Sequence, residues 1–287
     1  MDKIENISLS KGLYIVSTPI GNLKDITIRA LITLKNCDLI ACEDTRVTQK
    51  LLSSYKIKAK ITSYHDFTPE EKLLKLIKKM EEGESIALVS DAGTPLISDP
   101  GYKLVVLALK KNLPVIPIPG PSALTASIAT SGLKSEKFFF FGYLPSKENK
   151  KINALKSLTN IQSSLIFFES SKRLQNTLKN MLSIFGNRKC VVSRELTKYY
   201  ETFYRGDLKK ISMESLKINL KGEITVIIDK PDEESSSEKI ILENEKLKKI
   251  FSFSKNKIST KNLSTLLSII YKKPKKFFYS QAIKFFK

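Results

Sequence analysis

Five small or turn-forming residues, Asp91-Ala92-Gly93-Thr94-Pro95, follow the apolar run Ser85–Val89. Small side chains let main-chain N–H and C=O groups reach a ligand, and glycine at 93 permits a positive φ. A second such loop, Pro119-Gly120-Pro121-Ser122-Ala123, follows the run Leu113–Ile118, and a third, Thr18-Pro19-Ile20-Gly21-Asn22, follows Leu13–Ser17. In α/β proteins, ligands bind in loops beyond the carboxyl ends of strands. The same composition also suits a tight strand-to-helix connection, with Ser122 as N-cap. Charged groups sit at comparable places. Glu43, Asp44 and Arg46 follow the run Cys37–Cys42, where a carboxylate could accept a proton or fix a ribose and a guanidinium could grip a phosphate. Asp44 capping the next helix, with Arg46 in a surface pair, is the plainer alternative. His65 is the single histidine, and Asp66 could orient it as a substrate or catalytic contact; otherwise it is a hydrogen-bonded loop residue. Arg173, Arg194 and Lys198 follow later apolar runs and suit phosphate groups, or else internal ion pairs with Glu169 and Glu195.

The elements that must carry these residues alternate. Strands are expected at 13–17, 37–42, 59–63, 85–89 and 113–118, with helices near 25–35, 44–53, 69–82 and 101–111. Thr68-Pro69-Glu70-Glu71 reads as a helix start, with a hydroxyl cap, a proline in the first turn and acids against the dipole. This alternation predicts an α/β domain over residues 1–119 with a largely parallel sheet, the prolines of 113–118 favouring an edge strand. A second α/β domain of α+β character, 120–231, is expected to hold helices at 121–131, 147–159 and 171–185. Its strands are expected at 137–142, 163–168, 189–194, 201–206 and 223–229. The last three run without intervening helices and predict mostly antiparallel pairing. The acidic, serine-rich stretch 231–237 reads as a linker. Beyond it, 239–253, 259–271 and 279–286 have helical patterns, so 238–287 forms a small basic helical C-terminal module.

The chain's net charge of +20 points to a polyanionic partner. Only six of its 49 basic residues are arginine, so a lysine-rich coding bias is an alternative source. Position argues against an even bias: residues 238–287 hold thirteen lysines and three acids, half the net charge. RNA contact by this module is therefore expected. Cys37, Cys42 and Cys190 form neither a CxxC pair nor a disulfide framework, which suits a reducing cytoplasm. No run reaches the ~20 apolar residues of a membrane span, and residues 1–12 lack the pattern of a secretory leader. No residues have metal-ligand spacing, so no metal is expected. There is no GxGxxG and no P-loop, so a nucleotide-like cofactor needs another cradle.

Seven blocks in order carry a family resemblance: TPIGNLKDIT (18–27), CEDTR (42–46), VSDAGTPLISDPGY (89–102), PIPGPSAL (117–124), FGYLPSK (141–147), FFES (167–170) and RELTK (194–198). Together they resemble the tetrapyrrole-methylase superfamily, and within it the branch that modifies small-subunit ribosomal RNA. The resemblance implies two α/β units with an S-adenosylmethionine cleft between them, and 2′-O-methylation of a cytidine in the decoding region of 16S rRNA. It implies cofactor contacts, largely through main-chain groups, at Asp91, Ala92, Gly93, Thr94, Pro121, Ser122, Ala123 and Gly142, with adenine near Phe141–Tyr143. It also implies a cytoplasmic homodimer acting on 16S rRNA or the 30S subunit. For the base that activates the ribose hydroxyl the residues offer Glu43, Asp44 and His65; for RNA they offer Arg46, Arg173, Arg194 and Lys198. A small-molecule substrate on the same fold, or an RNA-binding protein without catalysis, are the competing readings.

Overall fold

The computed structural model describes residues 6–215, 222–231, 245–255, 257–271 and 274–286. The chain separates into two compact units, 1–230 and 231–287.

The first unit contains two five-stranded sheets. One is all parallel, in the order β3 (Ile61–Ser63), β2 (Leu39–Cys42), β4 (Ser85–Val89), β1 (Gly12–Val16), β5 (Val115–Ile118). Its strands are apolar on both faces because helices cover both. On one face Tyr14, Val16, Ile40 and Cys42 pack with α1 (Ile28–Asn36) and α2 (Thr45–Ser54). On the other, Leu13, Ile86 and Leu88 pack with α3 (Glu70–Glu81) and α4 (Tyr102–Lys110). β5, with Pro117 inside it, is an edge strand, as its missing N–H requires. The start of α3 differs from the sequence expectation: Pro69 occupies the N-cap, and the Thr68 hydroxyl accepts the main-chain N–H of His65 at 2.8 Å. The three cysteines are free and buried, and burial pushes the Cys37 thiol up to about 12.

The second sheet runs β6 (Phe138–Tyr143), β7 (Ser164–Ser170), β10 (Glu223–Ile228), β8 (Lys189–Arg194), β9 (Thr202–Asp207). β6 and β7 are parallel and the other pairs antiparallel. One face carries Leu165, Phe167, Val192 and Val226 into a core with α6 (Glu148–Ser157), α7 (Ser171–Phe185) and α8 (Leu208–Ser215). The opposite face receives α5 (Ala123–Ser131) through Ile128 and Leu124. One expectation is corrected: the three strands pair antiparallel as expected and β8 runs directly into β9, but α8 lies between β9 and β10. Asp207 Oδ1 accepts the Lys210 N–H at 2.8 Å, and Leu208 and Ile211, three apart, are buried on one helix face.

The second unit contains α9 (Glu245–Ser254), α10 (Thr260–Tyr271) and α11 (Lys275–Phe286) around Phe251, Leu263, Leu267, Phe278 and Ala282. α11 begins four residues before its expected start, and residues 239–244 lie outside the described ones.

Candidate active site

β4, β1 and β5 are neighbours in the first sheet, so the three loops that leave them enter one crevice. The loops are tied together. Thr18 N–H donates to Gly93 O at 2.8 Å, and Gly93 N–H donates to Thr18 O at 3.0 Å. The Ser17 and Thr94 hydroxyls lie 2.9 Å apart, and Thr94 Oγ1 donates to Pro121 O at 3.2 Å. A Cβ at Gly120 would come within 2.9 Å of Ser17 Cβ, so only glycine lets the third loop close on the first. Gly93 has φ +75° and both its main-chain polar groups engaged with Thr18. It shapes the loop rather than presenting free main-chain groups.

The floor of the crevice comes from the second sheet. Tyr143 pairs with Phe168, Phe168 with Thr225 and Thr225 with Ser193, giving one row across four strands. Two residues along the same face, the row Ile166–Ile227–Val191 is covered by α5. α5 begins at the first row and leaves it open. The result is a cavity of about 210 Å³ lined by this row and by Asp91–Thr94 of the DAGTP loop. Ser122 and Ala123 line it too, and the Ser122 hydroxyl makes no capping bond, so it remains available to a ligand. The Tyr143 and Phe168 rings, 5.7 Å apart, form an aromatic wall.

The cavity has the opposite charge to the chain. Asp91, Asp99 and Glu223 line it, and among its described lining residues there is no lysine or arginine. Asp91 Oδ1 accepts the Asp44 N–H at 3.0 Å. Lys198 Nζ reaches Glu223 Oε2 at 3.1 Å from outside the lining. Asp99 is half-buried, and burial raises its carboxyl to about 6; Asp91 and Glu223 push it the same way, and a hydrogen bond with Ser90 opposes them. Asp99 and Glu223 were not among the residues singled out from the sequence. Asp99 falls there within the VSDAGTPLISDPGY block, with no reading of its own. Glu223 has no local signal; it reaches the cavity only because β10 pairs between β7 and β8.

Of the sequence candidates, Asp91, Ala92, Gly93, Thr94, Ser122 and Ala123 line this one cavity. Pro121 contributes its carbonyl to Thr94. Gly142 lies behind the lining, at a bulge in β6 with φ +78°, where a Cβ would come within 2.9 Å of Ser98 Oγ. Phe141 turns to the opposite face and packs against Phe167. Glu43, Asp44 and Arg46 follow β2, the next strand over from β4. Asp44 accepts the Arg46 N–H, capping α2, and binds the Arg46 guanidinium at 2.6 Å, which holds its carboxyl down at about 2. Glu43 is exposed; partial burial, then Asp91, Asp99 and Asp66, raise its carboxyl. His65 follows β3, two strands from β4 and so about 10 Å along the sheet edge. Arg173 Nη2 donates to Leu144 O at 2.6 Å and Pro145 O at 3.2 Å, and its Nε lies 3.3 Å from Glu169. Arg194 ends β8, half-buried. Lys198 bridges Glu195 and Glu223 with its stem packed on Gly21.

The loop that carries Asp99 is wound tightly. Leu96 (φ +71°) and Ser98 (φ +67°) take left-handed conformations, and Gly101 has φ +149°. Such positions cost about 1–3 kcal/mol each for a side chain that does not suit them. A Cβ at Gly101 would also meet Leu96 Cδ1 at 2.7 Å and Leu88 Cδ2 at 3.1 Å. Gly101→Ala is therefore expected to cost about 2 kcal/mol, read as a lower midpoint in thermal unfolding followed by circular dichroism.

The fold and site define a class: an α/β protein of two five-stranded sheets with an acid-lined ligand cleft between them. The sequence profile of the Tetrapyrrole (Corrin/Porphyrin) Methylases matches residues 12–212, and the chain belongs to that family. Among curated relatives, Ribosomal RNA small subunit methyltransferase I of Halalkalibacterium halodurans is 47% identical over 228 residues, 79% of each chain. The protein of the same name from Thermotoga maritima is 44% identical over 216 residues, covering 75% of this chain and 97% of that one. Among solved structures, uroporphyrin-III C-methyltransferase from Thermus thermophilus complexed with S-adenyl homocysteine aligns with a TM-score of 0.53 at 16% identity, covering 75% of this chain and 96% of that one. Among the described residues, no group of three His, Cys, Asp or Glu is placed to hold a metal ion, and no helix is long and apolar enough to cross a membrane.

Proposed function

We propose that the protein transfers a methyl group from S-adenosylmethionine to a ribose 2′-hydroxyl, that of a cytidine in the decoding region of 16S rRNA. The observation that carries this reading is the sign of the cleft: three carboxylates and, among the described lining residues, no cation, in a chain of net charge +20. Such a cavity suits a ligand with a sulfonium and an ammonium, and it repels phosphate. The polynucleotide is then held by lysines outside the cleft, and one ribose edge reaches in.

The residues fit the cofactor. Asp91 can meet a positive charge, and the free Ser122 hydroxyl at the start of α5 can meet a carboxylate. The Tyr143 and Phe168 rings, inclined at 60° to each other, offer aromatic faces for adenine. When bound, S-adenosylmethionine supplies a methyl already activated by a positively charged sulfur. The protein's part is to align the hydroxyl with it, exclude water and take up a proton. The names of the curated relatives support the ribosomal RNA substrate. A cytoplasmic homodimer working on the assembled 30S subunit belongs to the same reading.

Labelled methyl transfer to 30S subunits lacking the modification, followed by nucleotide mapping, tests it. Label on a cytidine ribose of the decoding region is the expected result. Cofactor binding by calorimetry without any labelled RNA would overturn the substrate and favour a small molecule.

A further inference from the structure

We infer that the polar groove along the outer face of α2 holds phosphates of the RNA strand that enters the cleft, with Arg46 and Lys50 as its anion-binding pair. The assignment rests on the ribosomal RNA reading above. Spacing is the first argument. Thr45, Gln49 and Ser53 form one row of the helix, four residues apart, and Arg46, Lys50 and Ser54 form the row beside it. Both rows line one open groove of about 690 Å³, to which the edge strand β3 contributes Ile61. The helix makes this surface about 13 Å long, a shape for a chain of anions rather than a single one. Among the described lining residues there is no carboxylate, the reverse of the acid-lined cavity.

Uncommitted donors are the second argument. Asp44 grips the Arg46 guanidinium through Nε and Nη2, which orients the fork and leaves its Nη1 donors unspent on a side chain that is 85% exposed. A fork held this way suits bidentate binding of phosphate. Lys50, one turn further along, has no ion-pair partner among the described residues. The neutral groups contribute less: Gln49 donates to the Ser53 hydroxyl at 3.4 Å, and Ser54 donates to the Lys50 carbonyl at 2.9 Å. The surrounding charge has one sign. No acid occurs between Asp44 and Asp66, and the stretch carries Arg46, Lys50, Lys56, Lys58 and Lys60. The last three are exposed, whereas Ile57 is buried and Ala59 packs against the core, so the alternation turns the charge to solvent.

Position relative to the cleft is the third argument. Asp91, which lines the cavity, accepts the Asp44 N–H at 3.0 Å, and Asp44 in turn holds Arg46. One residue therefore separates the acid-lined cavity from the head of the donor-lined groove. A strand lying along α2 arrives at the cleft beside Asp44, with its phosphates on the cations and the target ribose beyond them. The two surfaces divide their ligands by charge, the cationic cofactor going to the carboxylates and the polyanion to α2.

The test compares full-length wild type with Lys50→Gln, the double variant Arg46→Met, Lys50→Gln, and a control, Lys75→Gln. Lys75 is exposed on α3, which packs on the opposite face of the same sheet. Binding of a short fluorescein-labelled single-stranded RNA of decoding-region sequence is titrated at several salt concentrations. Methyl transfer to 30S subunits lacking the modification gives kcat and KM. Each lost contact should shallow the slope of log K against log salt by about 0.7, so the double variant should lose about 1.4. At ~150 mM salt it should bind RNA about tenfold more weakly and raise KM by a similar factor, with a smaller effect on kcat. Thermal midpoints should stay within about 2 °C, because both side chains are exposed. A wild-type slope in the double variant overturns the assignment. So does an equal loss from Lys75→Gln, which would mark bulk charge, or a change in solution mass by light scattering, which would make the groove a contact between copies. A wild type that binds no RNA removes the groove and the substrate reading together. One that binds RNA but labels no 30S subunit removes the methylation reading, while the slopes still decide the groove. An active wild type whose variants all keep its slope and KM removes the groove alone.

Discussion

Removing residues 231–287 is expected to leave S-adenosylmethionine affinity within about twofold and to weaken RNA binding at ~150 mM salt on the order of 10²-fold. The described residues that line the cavity run from Ile20 to Thr225, all within the first compact unit. The second unit has a core of its own around Phe251, Leu263 and Phe278, and the lysines described in it lie on the surface. Lys249, Lys255, Lys257, Lys261, Lys275, Lys276 and Lys284 are all exposed. The Thermotoga maritima relative is matched over 97% of its length while a quarter of this chain goes unmatched, so a family member does without a segment of comparable size. Each phosphate neutralised lowers the salt slope of log K by about 0.7 for single-stranded RNA. Four contacts from this unit would shallow the slope by about 3 on deletion. Binding titrations of full-length and shortened protein at several salt concentrations read both quantities. An unchanged slope would mean that these lysines are a solvated surface and that the charge excess reflects coding bias.

Much of the first sheet was legible because its signals are local. Apolar runs of four to six residues ending in Gly/Pro/Ser/Thr loops fix where strands stop, and Pro117 placed its strand at an edge. Strand order is not local. The loops after β1, β4 and β5 form one crevice because these strands are neighbours, and the same order sets His65 two strands away. The helix α8 was passed over because Leu208–Ser215 carries few apolar residues, and its start depends on the Asp207 side chain turning back to Lys210. The cavity floor was the least visible part. Phe168, Thr225 and Ser193 belong to three strands and meet only through register. They read as core positions until α5 is seen to cover the neighbouring row and leave theirs open.

Arg173→Ala is expected to destabilise the first unit by about 3 kcal/mol, which lowers the thermal midpoint by roughly 6–12 °C in a domain of this size. The sequence offers Arg173 as an RNA contact; the structure surrounds it with internal partners. Glu169, its ion-pair partner, has a side chain only 1% exposed. It also accepts the Ser170 N–H at 2.8 Å and the Thr177 hydroxyl at 2.6 Å. Removing the guanidinium leaves that charge buried with two neutral donors, and it frees the Leu144 and Pro145 carbonyls from their shared donor. Truncating one partner of a buried pair costs more than replacing both. The double variant Arg173→Met, Glu169→Gln should therefore lose less than the sum of its single changes, and denaturant melts of the four proteins measure the coupling. Arg173→Lys should recover part of the stability, since an ammonium keeps the charge but cannot fork to Glu169 and both carbonyls. Leu144 follows Tyr143 directly, so slackening this anchor should also weaken cofactor affinity. An Arg173→Ala protein as stable as wild type but impaired only in RNA binding would instead return the residue to the substrate surface, with Glu169 content on its neutral donors.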